Sequence, residues 1–279
     1  MAGVAALATT LSASGAMAAL VHQYTFNDGT ANDSVGGAHG TIVDPGGISG
    51  FLGGAIDFRT NDAFASNQDF TQPTAQGAYV DLPNDILSTA AGTPTSLGGG
   101  PNGGQVTLEM WYTEQTHRNW ARLFDFGTSN NGEDTSDSGD ASEYIFVTSA
   151  QGTNGLFVAE THSTASGGVQ FPTTPDYPGS PDETVPALTV GVPHHIALVL
   201  DQSTSSGDVG DNGTATLYHN GVSVGSAPIV DTLFLDLMAN NNNWLGRSQW
   251  GDQLFDGVYD EFRIYDNALS AGDVLSSYT

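Results

Sequence analysis

Two tryptophans sit among polar residues of the kind that hold a sugar. Trp120 follows His117, Arg118 and Asn119, and Trp250 lies close to Arg247 and Gln249. A glycan site needs an aromatic face to stack on the ring, and Asp, Asn or Arg to bond its hydroxyls. Both tryptophans fall between strand-like runs, and such loops carry binding groups disproportionately often. Trp111 and Trp244 lie inside such runs and are expected to pack. Tyr112 and His117 are weaker partners for the same surface. The competing reading for any Trp is burial, its commonest use.

Oxygen-rich turns are the second feature. Asn27, Asp28, Asn32 and Asp33 crowd one turn. Ca²⁺ takes six to eight oxygens from carboxylates, amides, carbonyls and water, so such a turn suits it. The alternative is that Asp28 and Asp33 cap the turn by bonding nearby amides. The acidic stretch Glu133 to Asp140 does not match an EF-hand loop, which requires Gly at position 6 and Glu at 12, and Asp208 to Gly213 falls short of a full loop. Both read better as solvated acidic connections. Hydrolytic chemistry has little support. Glu109 and Glu114 are five apart and so face opposite sides of a strand. His194 and His195 are present, but the one G-x-S-x-G string, Gly221 to Gly225, lies in the Asn220-Gly221 hairpin run and is no strand-to-helix elbow.

These residues need a scaffold, and composition says which kind. The 279 residues carry a net charge of −26, with 31 acids against five bases, all of them Arg. A nucleic-acid groove cannot be lined from that supply, and anionic membrane surfaces repel such a chain. With no Cys there is no disulfide, zinc-thiolate site or thiol nucleophile. At 38% hydrophobic residues a core is affordable. Asp, Asn, Gly, Ser and Thr are abundant, and they favour turns over helix. Strand-like runs recur at 20–26, 55–58, 78–82, 106–113, 122–126, 144–148, 156–160, 195–200, 215–219, 222–226, 244–246 and 258–265. Residues 195–200 are apolar on both faces and predict a strand covered on both sides. Asn220-Gly221 predicts a type I′ hairpin. The one predicted helix is 271–278, with Ser270 as N-cap and Asp273 three residues on. Residues 83–104, 129–142, 161–190 and 203–213 read as long loops. Residues 1–19 are apolar and uncharged and contain Ala16-Met17-Ala18, so they are expected to be a signal-peptide remnant or tail. Residues 20–279 are expected to form one domain.

The order of these runs resembles the LamG-like jelly-roll domains of the concanavalin A-like lectin/glucanase superfamily. The matching pieces are Leu20 to Asp28, Asn32-Asp33-Ser34 with Gly37, Gly54-Ala-Ile-Asp-Phe58, Tyr79 to Pro83 and Val106 to Trp111. Arg122-Leu-Phe-Asp-Phe-Gly127, His194 to Asp201, Leu217-Tyr-His-Asn-Gly221, Trp244-Leu-Gly246 and Gly257 to Ser270 follow. The closing Asp260-Glu-Phe-Arg-Ile-Tyr265 with Ala268-Leu-Ser270 is the most specific piece. Pro193 departs from the family, which often has Trp there.

The resemblance implies an all-β, two-sheet antiparallel β-sandwich with long loops, and recognition of carbohydrate or protein without catalysis. It also implies structural Ca²⁺. It would bring the early turn beside the last strand, so that Asn27, Asp33 and Asp260 become metal ligands, completed by carbonyls near Gly36 and Gly37. The superfamily's hydrolases carry E-x-D-x-E on one strand, and this chain has no such motif. The expected function is a secreted or cell-surface, bacterial-type module for a neutral polysaccharide or glycoconjugate. Trp120, Arg118, His117, Trp250 and Arg247 would contact it. The alternative is an adhesive component that binds extracellular proteins or copies of itself. Neither nucleic acid nor membrane insertion is expected.

Overall fold

The computed structural model describes residues 19–61, 64–72, 74–136, 143–152, 155–172, 187–208 and 210–279. In chain order the early strands are β1 (Leu20–Tyr24), β2 (Thr41–Val43), β3 (Gly50–Leu52), β4 (Ala55–Asp57) and β5 (Tyr79–Leu82). Helix α1 (Ile86–Ala91) precedes β6 (Gln105–Glu114), β7 (Arg122–Thr128), β8 (Glu143–Gln151), β9 (Leu156–Ser163) and β10 (Gly167–Phe171). The last elements are β11 (Pro193–Asp201), β12 (Thr214–His219), β13 (Val222–Pro228), β14 (Asn242–Leu245), β15 (Gly257–Tyr265) and α2 (Ala271–Tyr278).

They make two antiparallel sheets. One runs β13-β12-β11-β6-β15-β4-β3, with β1 also on β15, and the other runs β10-β9-β8-β7-β14-β5-β2. Period-2 alternation decides which side chains meet between them. Val106, Leu108, Met110, Ile196, Leu198, Phe262 and Ile264 from the first sheet enter one buried cluster with Val80, Phe124, Phe126, Ile145, Val147 and Phe157 from the second. The intervening residues of each strand point away from this core. On the first sheet, α2 covers part of that outer face, where Ala197, Val199, Tyr218, Leu269 and Val274 form a second buried group. This is why β11 is apolar on both faces. Asn220 and Gly221 both have positive φ, as a type I′ turn requires.

All twelve sequence-predicted strand runs form strands. Three further strands arise that the sequence pattern did not mark, β2, β3 and β10, the last inside the expected loop 161–190. Each is short, and each exists through pairing with β5, β4 and β9 rather than through its own pattern. Helix α1 is likewise unannounced. Its Asp85 N-cap makes no side-chain cap bond, and Ile86, Leu87 and Ala91 are held by burial. Residues 1–18 of the expected leader lie outside the described residues, as do 137–142 of the acidic loop and 173–186 of the Pro-rich loop.

Candidate functional site

A cleft of about 270 Å³ opens on the outer face of the second sheet, lined by Trp120, Arg122, Tyr144, Phe146, Glu160, Gln170, Trp250 and Asp252. Strand register sets its floor. Gln170, Glu160, Phe146 and Asp125 are successive cross-strand neighbours from β10 to β7, so they share one face. Tyr144 stacks against Phe146 and lies flat on His162, with ring centroids 5.7 and 4.4 Å apart. Two loops supply the walls. Trp120 comes from the β6–β7 loop and Trp250 from the β14–β15 loop, and both pack half-buried on the Tyr144, Phe146, Leu156 and Val158 cluster. The two tryptophans, 130 positions apart in sequence numbering, therefore flank one hollow.

Arg122 ties the walls to the floor. Its guanidinium lies over the Phe146 ring at 3.7 Å and near Trp120 at 5.4 Å. Nη1 donates to the Trp120 carbonyl at 2.8 Å, Nε reaches Asp125 at 3.3 Å and Nη2 reaches Asp252 at 3.1 Å. Asp125 also accepts from the Gln249 amide at 2.9 Å, and Asp252 accepts from the Ser248 hydroxyl at 2.9 Å, so the Trp250 loop is fixed at two points. Trp120 adopts φ 59°, a left-handed conformation costly for a bulky residue, and its amide bonds the Ala150 carbonyl at 2.9 Å. Burial pushes the Asp125 carboxyl up to about 7, against the pull of Arg122. Burial, then Glu160, raises the Tyr144 hydroxyl, against Arg122 and a hydrogen bond from Trp250. Tyr144 donates to Glu160 Oε1 at 2.9 Å, and Gln170 donates to Oε2 at 2.5 Å.

Three residues grouped with these tryptophans by sequence proximity go elsewhere. Arg247 is 0% exposed and sits among the rings of Phe70, Tyr79 and Trp244, donating to the Tyr79 hydroxyl at 2.7 Å. A ligand on the surface cannot reach it. Arg118 is also buried and bonds the carbonyls of Asn61 and Phe64. Both corrections have one cause. A planar cation that finds aromatic faces and carbonyls in the interior pins loops together from inside. His117 is partly exposed and pairs with Glu114 at 3.0 Å, which raises its pKa, but it does not line the cleft.

The expected calcium ligands are not gathered into a cage. Asp33 Oδ1 accepts from the amides of Gln23, Val35 and Gly36, and Oδ2 accepts from the Ala38 amide and His22 Nδ1, all at 2.8–3.0 Å. Burial raises this carboxyl, but those amides and His22 outweigh it and hold it well below the usual range. Its oxygens already serve five protein donors, so the carboxylate does not fit a calcium ligand. It organises the turn instead. Asn27 and Asp260 are exposed and line a different hollow with Gly54 and Trp111. Asp260 is turned out by a bulge, since the β15–β6 register shifts between Tyr259 and Glu261. Among the described residues no group of three or more Asp, Glu or His side chains is placed to hold a metal.

Sequence reasoning missed Arg122, Tyr144, Phe146, Glu160, Gln170 and Asp252. The one available signal was alternation. Glu160 follows the apolar run of β9 on the face opposite Phe157 and Ala159, where a carboxylate asks for a reason. Gln170 lay in a presumed loop.

The fold is that of a two-sheet antiparallel β-sandwich. A family model described as Laminin_G_3, concanavalin A-like lectin/glucanases superfamily, matches residues 74–275, and the chain belongs to that family. Comparison with curated protein sequences finds no match. Among solved structures the chain resembles domain 4 of AbnA, an extracellular arabinanase from Geobacillus stearothermophilus solved with arabinotriose. Identity is 20%, over 94% of this chain and 99% of that one, with a TM-score of 0.58. The binding domain of botulinum neurotoxin DC, in complex with SialylT, aligns at 10% identity over 93% of this chain and 50% of that one, with a TM-score of 0.52. The serotype G binding domain aligns at 13% identity over the same shares, with a TM-score of 0.51. The chain thus spans half the length of the botulinum chains. At these identities the likeness concerns the fold.

Proposed function

We propose that the protein is a non-catalytic carbohydrate-recognition module whose binding cleft lies between Trp120 and Trp250. One observation carries this reading. Two separate loops deliver aromatic side chains to the same hollow, and Glu160, Gln170 and Asp252 stand beside them to bond hydroxyls. Stacked sugar rings and bidentate hydroxyl contacts need that combination. Arabinotriose in the similar arabinanase domain is consistent with it. The two cleft carboxylates both accept hydrogen bonds from protein donors, an arrangement that orients hydroxyls rather than delivering a proton to a leaving group. The ligand is not anionic, because Arg122 is consumed by Asp125 and Asp252 beneath the rings. The module works outside the cell, where polysaccharides are met. Among the described residues no helix is long and apolar enough to cross a membrane.

A glycan array followed by calorimetry tests the proposal. Trp250→Ala and Trp120→Ala should each weaken binding by about five- to twelvefold, from a stacking loss of roughly 1–1.5 kcal/mol. The fold should persist, since both rings are only half-buried. An empty array with concentration-dependent self-association would replace this reading with an adhesive one. Release of reducing sugar would overturn the non-catalytic part.

A further inference from the structure

We infer that the cleft accepts a protonated amine, and that its ligand is a glycan bearing free amino groups. This rests on the carbohydrate reading of the same cleft. The Glu160 carboxylate is the central observation. Its residue is 5% exposed, it lines the cleft, and it belongs to none of the ion pairs among the described residues. Tyr144 and Gln170 supply it with neutral hydrogen bonds alone. A carboxylate buried to this degree is costly without a positive partner.

No Lys or Arg of the chain is free to serve as that partner. The chain contains no Lys, and each of its five Arg is engaged. Arg59 pairs with Asp57, Arg263 with Glu261, and Arg122 with Asp125 and Asp252. Arg118 and Arg247 are buried on carbonyls and rings. Several of the donors that line the cleft are also committed. Gln170 donates to Glu160, Trp250 to Tyr144, and Arg122 to the Trp120 carbonyl. The hollow is therefore rich in acceptors and poor in donors, so it favours a ligand that brings N–H and O–H groups. Aromatic faces add to this preference, because a ring's face attracts an ammonium group. A free amine on a sugar ring provides the ring to stack, the donors and the charge together. A uronate or sialate brings acceptors and negative charge, and the cleft has nothing to meet either.

The test compares glucosamine disaccharide, its N-acetylated form and a galacturonate disaccharide in mildly acidic buffer at physiological salt, where the sugar amine carries a proton. Short ligands are used so that the −26 charge does not simply gather a polycation. The free amine should bind about tenfold more tightly than the acetylated sugar, as a charge-assisted contact implies, and galacturonate should not bind. Glu160→Gln should bring the free amine within about twofold of the acetylated sugar. Equal or weaker binding of the free amine by the wild type overturns the inference. So does a preference that survives Glu160→Gln, because that variant removes one of 31 acids and leaves general attraction intact. In both cases acetylated-sugar binding that Trp250→Ala abolishes leaves the carbohydrate reading standing. No binding of any sugar overturns both.

Discussion

Buried carboxyls decide how this protein answers to pH. Burial pushes Asp81, with Asp134 beside it, from an ordinary 3.8 up to about 7, and Asp125 likewise. A carboxyl whose folded value is raised stabilises fully below its unfolded value, and that contribution is lost as pH rises through the folded value. His219 acts in the other sense. Burial, then His194 and His195, lowers it to about 4, so its contribution is complete above its unfolded value of 6.5 and lost on acidification. Between roughly pH 6.5 and 8 the two carboxyls therefore dominate, and Tm should fall by about 2–4 °C across that interval. Asp81→Asn should flatten the slope measured by differential scanning calorimetry. A Tm that rises across the interval would contradict the assignment. Asp33 is the opposite kind of residue. Its depressed pKa leaves it charged throughout that window, with five donors in place. Asp33→Ala should destabilise the fold by about 2–4 kcal/mol, since it strands buried amides. Adding Ca²⁺ to chelated wild-type protein should leave Tm unchanged, because Asp33 is not available to the ion. A rise in Tm that Asp33→Ala removes would show otherwise.

At the scale of elements, the cleft depends on how closely β7 and β8 approach. Gly127 on β7 faces β8 so tightly that an added Cβ would sit 2.1 Å from the Glu143 carbonyl and 2.7 Å from the Tyr144 Cα. Both are backbone atoms, so no rotamer change relieves the clash. Gly127→Ala should push β8 outward, cost about 1–3 kcal/mol in urea unfolding, and weaken ligand binding by shifting Tyr144. A variant with unchanged stability and affinity would mean that the strands yield easily. The helix α2 behaves as its sequence predicts. Ser270 accepts from the Asp273 amide, and Asp273 reaches back to the Ser270 amide, completing a capping box. Local chemistry was enough there. It was not enough for α1 or β10, whose residues gain their structure from the core and from β9.

For the whole molecule, the −26 charge works against compactness. Self-repulsion among surface acids is screened over about 8 Å at physiological ionic strength. Thermal stability should therefore rise steadily from low salt to about 0.5 M NaCl, with most of the gain below about 0.15 M, where screening changes fastest. Stability independent of salt would mean that the excess acids are already neutralised by close partners. The charge also bears on the ligand proposed above. A chain whose Arg residues are spent on its own loops attracts cations and hydroxyl donors and keeps polyanions away.

The amino-acid sequence alone determined the strands and one hairpin, because period-2 alternation and the Asn220-Gly221 turn are local properties; the sandwich followed from the resemblance of their order to the family. The sequence also determined that Trp120 and Trp250 stand on loops. What it grouped by proximity, the tertiary structure separated. Arg118 and Arg247 sit next to the cleft tryptophans in the chain, yet burial among carbonyls and aromatic rings holds them away from the cleft. Asp33 and Asp260 were paired by resemblance, but one is enclosed by amides and the other is expelled by a bulge. Only pairing across sheets brings Glu160, Gln170 and Arg122 to one face, because cross-strand register joins residues that no sequence spacing connects.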